Sequence, residues 1–62
     1  MAEGGSVIER TWRVWFENLE GLTEYAKLFY NERKATDYCE WLNKQKHVSN
    51  AYIVESAIET NP

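Results

Sequence analysis

The sequence predicts a small α+β domain of β-β-α-β order, a three-stranded antiparallel sheet in the order 2-1-3 with one helix packed on one face. Three observations lead there. Residues 7 to 17 alternate in period two, the quartet "NLEG" follows as a turn, and the spacing of apolar residues then changes to three and four within "NERKATDYCEWLNKQK".

The first strand runs from Val7 to Glu17. Ile8, Arg10, Trp12, Val14 and Phe16 share one face, and Val7, Glu9, Thr11, Arg13, Trp15 and Glu17 share the other. Asn18 and Gly21 bracket a type I turn or short loop. A second strand from Leu22 to Tyr30 places Leu22, Glu24, Ala26, Leu28 and Tyr30 opposite Thr23, Tyr25, Lys27 and Phe29. The two strands read as a hairpin.

The helix is expected from about Glu32 to Lys46, with Asn31 as N-cap and Ala35, Tyr38, Cys39, Leu42 and Gln45 along its inner stripe. Lys44, Lys46 and His47 would complement the dipole in its last turn. "HVSN" ends it, and Ala51 to Ile58 form a third strand with apolar residues on both faces. A right-handed crossover from the second strand through the helix carries the third to the far side of the first, which becomes central. Residues 1–6 and 59–62 are expected to fray around a single domain of residues 7–58.

The expected core comprises Trp12, Val14, Phe16, Leu28, the apolar side of the third strand, and Tyr38, Cys39, Trp41 and Leu42 from the helix, with a rim position as the alternative for both Tyr38 and Trp41. With one helix, nothing covers the second face of the sheet. Trp15, Arg13, Tyr25, Lys27 and Phe29 are expected there, beside Thr11 and one residue of the third strand. A contiguous apolar patch on a small protein marks an interaction surface. The bland alternative is that the Lys27 and Arg13 stems cover Trp15 and the face stays wet.

At 62 residues the chain buries only about 60% of the surface its unfolded form exposes. Small domains compensate with a disulfide, a metal or a second subunit. A single cysteine excludes an internal disulfide, and Cys39 with His47 falls far short of a zinc site. A second subunit is the remaining device, so the open face is expected to anchor a homodimer or a different protein partner.

The net charge of -3 and pI near 5.0 give no basic footprint for nucleic acid. Single-stranded nucleic acid stacked on the sheet aromatics is the alternative reading. It is disfavoured because Arg10, Arg13 and Lys27 are offset by Glu9, Glu17 and Glu24. No nucleophile, base and oxyanion donor can be assembled around Cys39, and "EGGS" precedes a strand where a phosphate loop would precede a helix. The sequence therefore predicts a non-enzymatic protein without cofactor, metal or small-molecule substrate. No apolar run approaches the roughly 20 residues of a membrane span, and a cytoplasmic location is expected by default.

The stretch "FYNERKATDYCEWLNK" resembles the strand-to-helix passage of short bacterial and phage proteins of β-β-α-β form. That resemblance carries no functional residue over. Small size and acidity give the expectation of a phage or mobile-element protein that binds and modulates a host protein, with a housekeeping accessory subunit as the alternative.

Overall fold

The computed structural model describes residues 7–60, ordered as β1 (Val7–Asn18), β2 (Thr23–Phe29), α1 (Glu32–Leu42) and β3 (Val48–Thr60). The sheet order is β2-β1-β3, antiparallel throughout, and α1 packs on one face. The fold class, the topology and the central place of β1 agree with the sequence reading. The expectation that residues 1–6 and 61–62 fray lies outside the described residues.

Local chemistry accounts for each junction. The Asn18 carboxamide oxygen accepts from the amides of Glu20 and Leu22 at 2.9 and 3.0 Å, and the Gly21 amide donates to the Asn18 carbonyl at 3.0 Å. Gly21 closes that turn at a φ of 83°, a conformation that disfavours a Cβ. Asn31 caps α1 through its side-chain oxygen, which accepts from the Lys34 amide at 3.0 Å.

The helix stops at Leu42, four residues short of the expected Lys46. The Asn43 amide still donates to the Cys39 carbonyl at 3.0 Å, but its side chain turns to the backbone of Ala51. Lys44 and Lys46 therefore lie in the following turns, and the last turn of the helix holds no basic residue. His47 sets its ring edge-to-face against Phe16, with centroids 5.8 Å apart. β3 starts at Val48, within the stretch expected to be turn, and reaches Thr60, two residues past the expected end. Burial of Val48 beside the end of the helix accounts for the earlier start.

The core holds Trp12, Val14, Phe16, Ala35, Leu42, Val48 and Ala51, with Ala26, Phe29, Tyr38, Cys39 and Ile53 packed around them. Trp41 is exposed at the rim and packs on Tyr38 at 5.6 Å.

Three expected placements are corrected by one feature of β2. Val14 pairs with Lys27 and Trp15 with Tyr25, so Ala26 is an extra residue with no partner of its own. Such a bulge reverses the alternation beyond it. Lys27 and Phe29, expected on the open face, lie on the helix side, where the Lys27 ammonium sits 5.4 Å from the Phe29 ring centroid and 5.8 Å from that of Tyr38. Leu28, expected in the core, pairs with Arg13 on the open face.

β2 ends opposite Trp12, whereas β1 and β3 continue as a two-stranded ribbon from the Thr11–Ser56 pair to the Val7–Thr60 pair. This arm stretches the described chain to 53 × 21 × 10 Å. Its radius of gyration of 15.2 Å far exceeds the roughly 10 to 11 Å of a compact domain of this length. Among the described residues no helix is long and apolar enough to cross a membrane.

Candidate interaction face

Because Trp12, Val14 and Phe16 are buried under the helix, parity drives Trp15 through the opposite face. There the register builds one aromatic row across all three strands: Tyr25, Trp15 and Tyr52. Trp15 and Tyr25 meet edge-to-face with centroids 5.2 Å apart and an interplanar angle of 69°. That geometry sets the positive ring edge against the negative ring face. The next row is Leu28, Arg13 and Val54, followed by the Thr11–Ser56 and Glu9–Ile58 pairs.

Tyr25 is 48% exposed, Val54 43%, Ile58 50% and Tyr52 39%, so four large side chains meet solvent on one face. No other element of the described chain covers them. Thr11 lies in the same face yet is 4% exposed, and its hydroxyl has no hydrogen-bond partner.

Of the five residues expected to form the site, Trp15, Arg13 and Tyr25 come together, while Lys27 and Phe29 do not join them. Tyr52, Val54 and Ile58 complete the surface and were not individually identified from sequence. Both sides of β3 read as apolar, so the strand alone does not say which side faces the helix. The small side chain of Ala51 settles it, since Ala51 pairs with Phe16 directly in the core.

The electrostatics of this face are sparse. Removing Lys27 leaves Arg13 as the basic residue in the rows, with Glu9 and Glu17 on the same side of β1. A stacking surface for nucleic acid needs phosphate neutralisation as well as rings, and the bulge takes away one of the cations that could supply it.

Among the described residues the remaining titratable groups form no competing centre. Burial, and secondarily the Glu40 carboxylate, push the Cys39 thiol above its ordinary value of 9.0, the reverse of what an activated nucleophile requires. Among the described residues no group of His, Cys, Asp and Glu is placed to hold a metal ion. A shallow depression of about 260 Å³ lies at the hairpin end, lined by Asn18, Leu19, Glu20 and His47, without a paired acid and base. Compared with protein-family models, with curated proteins and with solved structures, the chain matches none.

Proposed function

We propose that the chain is a protein-interaction module that works through the open face of its sheet, with Trp15 as the anchor and a second copy as the partner. The observation that carries this reading is the uncovered Tyr25–Trp15–Tyr52 row, extended by Leu28, Val54 and Ile58. Tryptophan and tyrosine at the centre of a patch, with Arg13 in the adjacent row between Leu28 and Val54, are the residue types enriched in interface cores.

Self-association supplies what the chain lacks. A core in which Val14 is, among the described residues, the one fully buried large side chain is thin, and face-to-face contact would add a second apolar layer beneath β1. Light scattering on the native protein and on Trp15→Lys tests the reading. The substitution should halve the assembled mass while the far-ultraviolet circular dichroism stays native. An unchanged mass, or a wild-type protein that is monomeric at millimolar concentration, would refute it. Tyr25→Lys, on the same row but the edge strand, gives a second variant should Trp15→Lys fail to fold.

A further inference from the structure

We infer that the outer edge of β3, from Ile53 to Glu59, pairs antiparallel with the same segment of a second copy about a two-fold axis at Ser56. The contact lies at the sheet's edge and does not rest on the open-face reading.

Asn43 reveals which backbone groups are free. Its carboxamide oxygen accepts from the Ala51 amide at 2.8 Å and its carboxamide nitrogen donates to the Ala51 carbonyl at 3.2 Å. Both backbone groups of Ala51 therefore point away from β1. Antiparallel strands alternate this direction residue by residue, and the β1–β3 register is unbroken from Asn50 to Thr60. The N–H and C=O groups of Ile53, Glu55 and Ala57 consequently point outward too, and among the described residues neither strand nor side chain meets them.

The two edges of the sheet differ in protection. β2 is short, interrupted by the Ala26 bulge and furnished with Lys27, three devices that blunt an edge. β3 is longer, and its two devices, an irregularity at Ser49 and the Asn43 clamp on Ala51, guard only its start, leaving it regular from Asn50 to Thr60. An open edge of this kind takes a further strand.

The segment is complementary to itself in a register centred on Ser56. Ser56 then faces its own copy, Val54 faces Ile58 across the junction on the open-face side, and Glu55 faces Ala57 on the helix side. Centring on Glu55 would instead set two carboxylates opposite each other, which is unfavourable. Centring on Val54 would bring Ala57 against the Ala51 of the other copy, whose edge groups Asn43 already occupies.

The arm supplies an independent reason for the same axis. β2 ends opposite Trp12, whose β3 partner is Glu55, so the three-stranded body stops one residue before Ser56. Two-fold pairing there lays the arm of each copy alongside the body of the other. A two-stranded ribbon, marginal alone, becomes part of a wider sheet.

Amide hydrogen exchange measured by NMR at micromolar and millimolar concentrations tests the pairing. The amides of Ile53, Glu55 and Ala57 should slow by at least about tenfold on concentration. Those of Tyr52, Val54, Ser56 and Ile58, which face β1, and that of Ala51, held by Asn43, should be protected throughout. In a mixed isotope-labelled sample, intermolecular contacts should join Val54 to Ile58. Ala57→Pro removes an outward N–H without breaking the β1 ladder, so it should stay folded and halve the assembled mass.

Fast exchange of the three outward amides at every concentration would overturn the inference, as would a folded Ala57→Pro of unchanged mass. Protection that appears only with a different protein would overturn the choice of a second copy. Failure of this contact is separable from failure of the open-face reading, because Ala57 lies on the helix side of the arm and Trp15 on the other face. Sensitivity to Ala57→Pro with indifference to Trp15→Lys keeps the edge and removes the face, and the converse does the opposite.

Discussion

Removing the Asn43 side chain should cost far more stability than its exposed position at the end of α1 suggests. Its carboxamide stands where a fourth strand would, making two hydrogen bonds to Ala51 at 2.8 and 3.2 Å. Each contributes about 0.5 to 1.5 kcal/mol net. Ala51 is 6% exposed, so in Asn43→Ala its amide is left with poor access to water and a desolvation penalty adds to the loss. The expected destabilisation is about 2 kcal/mol. A chain of this length has roughly 3 to 9 kcal/mol in total, so the melting temperature should fall by about 8 to 16 °C. Asn43→Asp separates the two bonds: the carboxylate can still accept from the Ala51 amide but cannot donate to its carbonyl, and it should not restore stability. Urea unfolding followed by tryptophan fluorescence, with an unchanged slope, measures both. A loss below about 0.5 kcal/mol for Asn43→Ala would refute the clamp and, with it, the outward direction of the Ala51 backbone.

Three further outcomes are expected. Thr11→Val should stabilise the protein by about 1 kcal/mol in the same urea experiment, because it removes a buried hydroxyl without a partner and keeps a β-branched shape; destabilisation would mean that the hydroxyl is satisfied. Cys39→Ala should cost about 1 kcal/mol near neutral pH through lost packing against the core. The folded thiol holds its proton to higher pH than the unfolded one. Wild-type stability from this group is thus complete below pH 9.0 and declines above it, and the gap between wild type and Cys39→Ala should narrow there; a constant gap would place the thiol in solvent. Deleting Ala26 should yield a folded protein in which Phe29 and Lys27 keep the helix side, since the remaining residues of β2 then follow the same register without the extra position. Transfer of Phe29 contacts from Tyr38 to Trp15 in NMR spectra would contradict the bulge.

Much of the fold was legible because its signals are local and agree with one another. Alternation from Val7 to Glu17, the Asn18–Gly21 turn and the Asn31 cap each state their own conformation, and strand order follows from the handedness of the crossover. Trp15 was legible for the same reason: its parity is fixed by Trp12 and Phe16 in an unbroken strand. What failed were features decided between elements. The helix reads as continuing through Lys46, and it ends early because Asn43 finds a better partner in Ala51, eight residues away in sequence. The second strand reads as a regular alternation from Leu22 to Tyr30, and nothing local marks Ala26 as extra. The bulge follows instead from two demands of the core. Tyr25 belongs beside Trp15 on one face, and Phe29 belongs beside Trp12 and Tyr38 on the other. These residues are four apart, which in a regular strand would put both on the same face. One unpaired residue between them satisfies both, and alanine is small enough to occupy that position while still packing against the core. The conflict between the two aromatic contacts is thus the physical cause of the bulge, and it is also what removes Lys27 from the open face and leaves Arg13 as the basic residue in its rows.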